Sequence, residues 1–437
     1  MRRAVCVMLD GLRRDFISAA AMPHLEAFRS RATWFDSHRS AAPSVTRVCA
    51  STFTTGCYPA AHGLEGNTLA LLADGRFSVY DAGRPDFLAQ RRAVMARALD
   101  RPSLPERLAK SSGAVVYSNV SPGAAYAHDP DRHGSVYHRA GSFGPGGRPI
   151  VGESGLNVGE DLDGDRQMTR RFIEHVEAHG PALAVLWLGH PDTTQHAVPL
   201  GSPEHLAALH AADENASRVI AAVDRWRLAG DDIFLLVGSD HGHQTVHAVI
   251  DVEGELRRLG FASCVDKGDL VVVPNGTACL VYAHGSGADL ICEVARRIAE
   301  QPWAGAVHAT DTLAAIGQSS ARGLALFISM ASDDAENAFG VRGRSYAAKP
   351  LFGKPDRLGC GQHGGLGAYE QSPLLMIDAG GFASAEVRTS PSSLIDMAPT
   401  ILSFLQLPAD GMDGRPLQQE LRAPSRSTVQ QDKGTQS

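Results

Sequence analysis

The chain contains 437 residues, more than one hydrophobic core usually organises, so we expect two or three structural units or one large domain with insertions. Hydrophobic residues make up 43% and charged residues 20%, as in ordinary globular proteins, and this composition excludes a globally disordered chain. The net charge of −7 provides no overall positive field, so we expect neither nucleic-acid binding nor attraction to an anionic membrane.

The seven cysteines are scattered and contain no CxxC pair, which argues against a disulfide scaffold and a structural zinc finger. The apolar run 4–9 is too short for a signal peptide, and no run approaches the length of a transmembrane helix. We therefore expect a cytoplasmic protein, or a periplasmic one if a leader has been removed. Nothing in the sequence indicates the oligomeric state.

Short apolar runs alternate with longer amphipathic segments along the chain. The runs predict buried strands at 4–9, 114–117, 182–188, 233–237 and 373–377. Helices are predicted around Met168, Phe172 and Val176, which are spaced four apart, and over 202–228. Strands that alternate with helices predict an α/β fold, a three-layer α/β/α sandwich with a mostly parallel central sheet.

Two regions interrupt this alternation. Residues 68–150 are rich in Gly, Pro, Arg and His and predict a loop-rich insertion, whereas 245–355 carry their own strands and helix and predict an inserted cap subdomain. The catalytic core is then expected at 1–244 and 356–417. The polar segment 418–437 has almost no apolar periodicity and predicts a disordered tail.

Ionisable residues gather just after the predicted strands, where open α/β sheets bind their ligands. Carboxylate and imidazole groups are ligands that suit zinc or a similar divalent ion. Six such ligands are too many for one tetrahedral ion but suit two ions about 4 Å apart, which can hold the entering and leaving oxygens at phosphorus. The candidate ligands, from four separate segments, are Asp10, Asp192, His196, Asp240, His241 and His363.

A nucleophile is available in the segment 42–56. Pro43 favours an extended entry and Gly56 a helix end, so Ser44 to Thr46 are expected at a helix N-terminus, where free N–H groups stabilise an anion. Ser44 or Thr46 as a simple N-cap is the alternative. A neighbouring metal ion that lowers the hydroxyl pKa makes Thr46 a credible nucleophile.

Together these segments resemble the alkaline phosphatase superfamily, and within it the nucleotide pyrophosphatase/phosphodiesterase branch. The matching segments occur in the family's order and span nearly the whole chain. They are 9–11, 43–46, 55–59, 61–63, Asp192 with His196, 239–242, 362–364 and 396–402.

The resemblance implies a zinc-dependent hydrolase that cleaves phosphate diesters or nucleotide pyrophosphates. It assigns Asp192, His196 and His363 to one zinc ion and Asp10, Asp240 and His241 to the other. It implies that Thr46, beside the second zinc ion and a ligand to it, forms a phosphothreonine that water then hydrolyses. Asn67 matches the residue that donates to a nonbridging phosphoryl oxygen; its alternative role is that of a turn residue.

Arg47, Val48 and Cys49 depart from the branch, which commonly has an aromatic residue and an asparagine after its nucleophile. Arg47 either points into the site or is a solvated helix residue. In the site it would bind a second anionic group of the substrate or favour a monoester. Aromatic residues near such sites commonly stack on the substrate, and Phe53, Tyr126 and Tyr137 are candidates, while His128, His133 and His138 are candidate substrate contacts.

Other functions stay open at this stage. A phosphonoacetate hydrolase-like enzyme that cleaves a C–P bond resembles this chain in its threonine and its Gly66-Asn67 segment, but that family uses lysines, and this chain has only five. A phosphate monoesterase of the same superfamily is a further alternative. From another class, the protein could be a metal-stabilised binding module without turnover, against which the full ligand set and Thr46 argue.

Overall fold

The computed structural model describes residues 1–285 and 287–418. Its strands, in chain order, are β1 (Arg2–Leu9), β2 (Thr33–Phe35), β3 (His38–Arg39), β4 (Thr68–Ala73), β5 (Arg76–Asp81), β6 (Ala114–Ser118), β7 (Ser135–Tyr137), β8 (Ser142–Phe143), β9 (Pro149–Ile150), β10 (Leu183–Leu188), β11 (Asp232–Gly238), β12 (Gln244–Ile250), β13 (Leu270–Asn275), β14 (Ala278–Ala283), β15 (Ala304–Ala309), β16 (Leu324–Met330), β17 (Ser332–Glu336), β18 (Arg342–Ala348), β19 (Gly361–Gln362), β20 (Leu375–Asp378), β21 (Val387–Arg388) and β22 (Ser392–Ser393).

The α-helices are α1 (Pro23–Arg29), α2 (Thr46–Thr55), α3 (Pro59–His62), α4 (Phe87–Met95), α5 (Leu104–Arg107), α6 (Pro122–Ala127), α7 (Leu162–His179), α8 (Asp192–Gln195), α9 (Pro203–Leu228), α10 (Val252–Leu256), α11 (Ala262–Lys267), α12 (Ala288–Ala299) and α13 (Met397–Phe404). In the described part of the chain, none of these helices is both long and apolar enough to cross a membrane.

The main sheet has ten strands in the order β21-β2-β20-β11-β1-β10-β6-β7-β8-β9. Its middle strands, β11, β1, β10, β6 and β7, run parallel to one another. Strand β20 pairs antiparallel with both β11 and β2, so the sheet is mixed on that side. Strand β10 is buried along its whole length, as is usual for a parallel strand covered on both faces.

Helices cover both faces of this sheet. Successive side chains of β1 point to opposite faces and so pack against different helices. Val5, Val7 and Leu9 pack in one apolar cluster with helices α1, α7 and α9. Cys6 and Met8 pack in a second cluster with α2, α5, α6 and α13. The predicted three-layer α/β/α sandwich with a mostly parallel sheet is therefore confirmed.

The elements expected from the sequence are present, with small shifts at their ends. Each of the five apolar runs contains a strand, and the spacing of Met168, Phe172 and Val176 places all three on the buried face of α7. Helix α9 is capped by Ser202, whose hydroxyl accepts a hydrogen bond from the His205 N–H group. Local periodicity was sufficient to predict these strands and helices, because each of them buries one continuous apolar surface.

Residues 68–150, for which we expected a loop-rich insertion, contain more regular structure than that expectation implies. Strands β4 and β5 form an antiparallel hairpin, and β6 to β9 extend the main sheet. The strands β7, β8 and β9 have only two or three residues each, too few for alternation to show in the sequence. The division of the chain into domains stays a prediction.

Residues 245–355, the expected cap, contribute to two further sheets. One has the order β13-β14-β16-β15 and packs against α12 around an apolar cluster of its own. The other has the order β17-β18-β12-β19, and its β12–β19 pairing brings the segment after Gln362 back to the end of the main sheet. The predicted tail, 418–437, lies outside the described residues except for Gln418.

Candidate active site

A cleft of about 430 Å³ opens at the carboxyl ends of the parallel strands. Asp10 follows β1, Asp192 follows β10 and Asp240 follows β11, so three carboxylates converge where the sheet ends. The fold also brings His196, His241 and His363 to the same place, so all six predicted ligands lie together. Ligand binding at this edge of an α/β sheet is the general rule.

The first group of side chains consists of Asp192, His196 and His363. Asp192 Oδ1 lies 3.4 Å from His196 Nε2 and 3.5 Å from His363 Nε2, and the two imidazole nitrogens lie 3.2 Å apart. Asp192 and His196 share one helical turn, since the His196 N–H group donates to the Asp192 carbonyl at 3.0 Å. The two side chains therefore stand four residues apart on one side of a helical turn, as helical spacing predicts.

The second group consists of Asp10, Asp240, His241 and Thr46. His241 Nε2 lies 3.1 Å from Asp240 Oδ2 and 3.5 Å from Asp10 Oδ1. Thr46 Oγ1 lies 3.2 Å from His241 Nε2 and 3.5 Å from Asp10 Oδ1. The two groups adjoin, because the rings of His241 and His363 stack with their centroids 3.6 Å apart.

Backbone carbonyls fix the orientation and tautomer of the three histidines. Nδ1 of His363 lies 2.6 Å from the Ser44 carbonyl oxygen, and Nδ1 of His196 lies 3.0 Å from that of Gly361. Nδ1 of His241 lies 3.2 Å from the Gly242 carbonyl oxygen. Because a carbonyl only accepts, each Nδ1 carries the proton and each Nε2 presents a lone pair to the site.

The buried environment keeps these rings neutral. Burial lowers the pKa of His241 to about 3 and that of His196 to about 4, and it lowers the pKa of His363 well below its ordinary value. His196 Nε2 and His363 Nε2, at 3.2 Å, are therefore two acceptors facing each other without a proton between them. Such a contact is repulsive unless a cation lies among the lone pairs.

The carboxylates of the second group also need a nearby cation. Burial raises the pKa of Asp240 to about 8, and burial together with the charges of Asp240 and Asp192 raises that of Asp10. Asp240 Oδ2 is buried and has no hydrogen-bond partner among the described residues. Positive charge at this position would allow both carboxylates to stay ionised at neutral pH.

The donor atoms have the spacing that a tetrahedral zinc ion needs. With zinc–ligand distances of about 2.0–2.1 Å, neighbouring ligands of a tetrahedral ion lie about 3.3 Å apart. The seven separations given above fall between 3.1 and 3.5 Å. The nitrogen and oxygen donors also suit zinc, so the residues present fit one such ion in each group.

Thr46 is the first residue of helix α2, and its side chain faces the second group. Val45 is the N-cap residue, and neither Ser44 nor Thr46 caps the helix with its side chain. Ser44 instead holds the segment that carries His363, since its hydroxyl donates to the Gly365 carbonyl at 3.0 Å and accepts from the Gly364 N–H group at 3.0 Å. Of these two hydroxyls, that of Thr46 is the one placed for attack.

Asn67 and Arg47 line the cleft beside Thr46. The Arg47 N–H group donates to Asn67 Oδ1 at 3.1 Å, which orients the amide so that its Nδ2 group has no partner among the described residues. The side chain of Arg47 is partly buried against Gly83 rather than solvated, because a Cβ built on that glycine would lie 2.5 Å from its Nη2 atom.

Sequence reasoning missed His243, two residues after His241. Its Nε2 atom lies 2.7 Å from Asp192 Oδ1, and its Nδ1 atom is buried without a partner. Proximity alone would group it with Asp192, His241 and His363, whose donor atoms all lie within 4.8 Å of one another. The shorter separation and the lack of a carbonyl on Nδ1 identify it as a hydrogen-bond donor to Asp192. The available signal in the sequence was the second histidine of the run Asp-His-Gly-His at 240–243, two positions after a predicted ligand.

The other candidate substrate contacts lie away from the cleft. Phe53 is buried and packs edge-on against Trp187 and His128, while Tyr137 stacks on Tyr117. Tyr126 binds the Gly141 carbonyl through its hydroxyl. His128 and His138 are buried in the protein, and none of these residues, nor His133, lines the cleft.

Comparisons with known proteins identify a matching sequence family and similar structures. The sequence profile of the family described as type I phosphodiesterase/nucleotide pyrophosphatase matches residues 4–303. A comparison with curated proteins finds no match.

Solved structures of one mammalian protein share the fold. Murine ectonucleotide pyrophosphatase/phosphodiesterase 5 is similar with a TM-score of 0.65 and 15% identity, over 94% of this chain and 97% of that one. An inactive variant of the murine protein in complex with AMP gives 0.65 and 16% over 95% and 97%, and the human protein gives 0.65 and 13% over 94% and 97%. At these identities the likeness shows the fold.

Proposed function

The chain belongs to the type I phosphodiesterase/nucleotide pyrophosphatase family, within the alkaline phosphatase superfamily, and from this premise we propose its reaction. It is a zinc-dependent hydrolase that cleaves small-molecule phosphate diesters or nucleotide pyrophosphates through a phosphothreonine formed at Thr46. The observation that carries the proposal is the convergence of unprotonated imidazole nitrogens and buried carboxylates beside the hydroxyl of Thr46.

Two zinc ions fit the donor set. Asp192, His196 and His363 would hold one, and Asp10, Asp240 and His241 the other, with Thr46 beside the second. When bound, such ions supply Lewis acidity at the entering and leaving oxygens and lower the pKa of a hydroxyl or water. The buried histidines stay neutral and so keep their lone pairs available.

Thr46 performs the first displacement. Its Oγ1 atom gives up its proton to solvent and forms a bond to phosphorus while the bond from phosphorus to the leaving oxygen breaks. The leaving oxygen takes up a proton where it departs as an alcohol, so the products are a phosphothreonine and a free alcohol or phosphate. Water then attacks the same phosphorus, the bond to Thr46 Oγ1 breaks, and the hydroxyl is restored. An inactive variant of the structurally similar murine protein was captured with AMP, which agrees with a mononucleotide portion reaching such a site.

Asn67 stabilises the phosphoryl group. Because its Oδ1 atom is occupied by the Arg47 N–H group, the donor that it offers the cleft is Nδ2. An amide donor suits a diester, whose phosphoryl group carries one negative charge fewer than that of a monoester.

A second candidate rests on Arg47. Its guanidinium lines the cleft and makes no hydrogen bond or ion pair with the described residues, as expected if it binds an anionic substrate group. A phosphonoacetate hydrolase-like reaction or a monoesterase of the same superfamily would use the same zinc ligands and the same Thr46. The three reactions differ in the group attached to phosphorus.

Specificity constants of the zinc-loaded protein test the proposal. We expect kcat/KM for a p-nitrophenyl nucleotide diester to exceed that for p-nitrophenyl phosphate by about a hundredfold or more, a difference of about 2.7 kcal/mol in transition-state binding. Phosphonoacetate is assayed beside them by phosphate release. A preference for either of the last two substrates would replace the diester assignment.

Thr46→Ala and Thr46→Ser identify the nucleophile. We expect alanine to reduce kcat by about a thousandfold or more, whereas serine, which keeps a hydroxyl, retains part of it. Acid quenching during turnover of a 32P-labelled diester should trap label on the parent protein and none on the alanine variant. Turnover by Thr46→Ala at the parental rate would refute the proposed role of Thr46.

A further inference from the structure

The wall of the cleft next to Thr46 is built from groups that the proposed reaction does not use. Arg47 follows Thr46 directly, and the loop that starts at Asp81 lies against its guanidinium. Across the cleft, Lys354 reaches this loop. The ligand that this wall would recognise follows from its charges, and the inference rests on the proposed function.

Arg47 has no directly paired carboxylate among the described residues. Its Nε atom is buried without a hydrogen-bond partner, and its Nη atoms make no hydrogen bond or ion pair with the described residues. Burial lowers its pKa, while the more distant carboxylates of Asp81, Asp192 and Asp10 act in the opposite direction. A partly buried guanidinium without a partner is costly, so it marks a position where an anion would be stabilised.

The carboxylate nearest to Arg47 is already engaged. Asp81 Oδ2 pairs with Lys354 Nζ at 2.7 Å, and Asp81 Oδ1 accepts a hydrogen bond from the Gly83 N–H group at 2.9 Å. Hydrogen bonds from Lys354 and Gly83, together with the charge of Arg47, hold the pKa of Asp81 below its ordinary value despite burial. Asp81 therefore stays ionised and shares its one charge between two cations, which leaves a net positive wall.

Two other arginines in the cleft are occupied by the protein itself. Arg139 donates to the carbonyls of Asn119 and Val120 and pairs with Glu160 at 2.6 Å. Arg357 donates to the His196 carbonyl at 2.9 Å. Among the described residues that line the cleft, Arg47 is thus the arginine whose guanidinium makes no hydrogen bond with the protein.

In the described part of the chain, no Phe, Tyr or Trp side chain lines the cleft as a surface on which a nucleobase could stack. Among the described residues that line it, the only aromatic rings are the imidazoles of His196 and His363, and the remaining apolar surface comes from valines, alanines, a leucine and four prolines. Phe352, in the neighbouring segment, is 57% exposed and does not line the cleft. Base stacking on aromatic side chains contributes about 1–3 kcal/mol per base, so its absence removes a large part of nucleotide affinity.

We propose that this wall, in which Arg47 and Lys354 line the cleft and Asp81 pairs with Lys354, is a subsite for a second anionic group of the substrate, and that this group, rather than a stacked base, selects the substrate. The substrate class is a phosphate ester, pyrophosphate or phosphonate that carries a further carboxylate or phosphate. Arg47 binds that group, and Asp81 limits the affinity because its negative charge, close to Arg47, repels the incoming anion.

Binding of two matched pairs of probes to the zinc-loaded protein tests the subsite by isothermal calorimetry. Phosphoglycolate and ethyl phosphate differ by a carboxylate, and AMP and ribose 5-phosphate differ by a base. We expect phosphoglycolate to bind at least about tenfold more tightly than ethyl phosphate. We expect AMP and ribose 5-phosphate to bind within about threefold of each other.

Three substitutions distinguish a direct contact between Arg47 and the carboxylate from a general effect of charge near the cleft. Arg47→Met should reduce the preference for phosphoglycolate over ethyl phosphate at least about fivefold. Asp81→Asn should increase this preference, because it removes a negative charge close to Arg47. Arg76→Met, in the same hairpin as Asp81 but exposed and outside the cleft, should leave it unchanged. The Asp81→Asn gain keeps the test decisive should Arg47→Met fail to fold.

Several results would overturn the subsite. Equal weakening of both phosphate probes by Arg47→Met would place Arg47 on the phosphoryl group itself. AMP binding at least about tenfold tighter than ribose 5-phosphate would show that a base is recognised after all. Since binding is measured without turnover, a carboxylate preference in a protein that hydrolyses no diester would retain the subsite and reject the proposed reaction.

Discussion

The indole of Trp187 donates a hydrogen bond from Nε1 to Asp10 Oδ2 at 2.8 Å, between two neighbouring strands of the main sheet. Both side chains are buried, and indole is a donor only, so the direction of the bond is certain. The bond occupies one oxygen of Asp10 and leaves Oδ1 facing Thr46 and His241. Trp187 therefore orients a carboxylate that we propose to bind zinc.

Replacing Trp187 by phenylalanine should loosen this carboxylate. We expect Trp187→Phe to lower the free energy of unfolding by about 2–3 kcal/mol and kcat/KM by about tenfold, because Asp10 Oδ2 loses its donor. The matched control is Trp34→Phe, which removes an indole bonded to Asp36 far from the cleft. The control should lose stability but retain kcat/KM, and an equal loss of activity in both variants would show a purely structural role for Trp187.

Metal content provides a second prediction. The purified protein, reconstituted with zinc and dialysed, should contain about two zinc ions per chain by atomic emission. His363→Ala removes one donor of the first group, so it should bind about one ion and lose at least about a thousandfold of kcat. His133→Ala is the control, since that ring lies outside the cleft. Two retained ions in His363→Ala would refute the ligand assignment.

His243 is predicted to act through Asp192. His243→Phe keeps a ring but cannot donate to Asp192 Oδ1, so zinc affinity at the first group should fall about 10–100-fold in a competition titration with a chelating dye. His243→Gln, whose amide nitrogen can take the place of Nε2, should restore most of the affinity. If His243→Phe bound zinc as tightly as the parent, the hydrogen bond would have no part in the site.

Asn67 offers an isosteric test. Asn67→Asp keeps an oxygen for the Arg47 N–H group but replaces the Nδ2 donor by negative charge, so kcat/KM for a diester should fall by about a hundredfold. The unfolding free energy should change by less than about 1 kcal/mol, because the hydrogen bond to the backbone persists. Undiminished kcat/KM would mean that Asn67 is only a turn residue.

The buried carboxyl group of Glu65 should make the free energy of unfolding depend on pH. Burial raises its pKa to about 7, although Arg322 and the Tyr282 hydroxyl oppose the shift. Because the folded protein then binds this proton more tightly than the unfolded chain, the free energy of unfolding should fall as pH rises from about 4.5 to about 7, by roughly 3 kcal/mol at most.

The comparison of Glu65→Gln with the parent isolates that contribution. Glutamine cannot ionise, so the variant should gain relative stability with increasing pH across this interval, as measured by urea unfolding at pH 5 and pH 8. A difference between the two proteins that stays constant with pH would show that Glu65 has an ordinary pKa in the folded state.

The sequence alone determined the layers of the fold and most of the site. A run such as 182–188 is a buried strand because its apolar side chains need cover on both faces, and the residues after parallel strands meet at one edge of the sheet. Asp10, Asp192 and Asp240 follow from that rule. His196 follows from helical spacing, which depends only on neighbours along the chain.

The tertiary structure decided what depends on contacts distant in sequence. His363 reaches the site because β19 pairs with β12 and Ser44 holds the segment that follows, and no local pattern encodes that pairing. The direction of Arg47 depends on packing against Gly83, thirty-six positions further along the chain. Periodicity specifies which face of an element is buried, whereas the partner of each polar side chain depends on which distant elements pack against it.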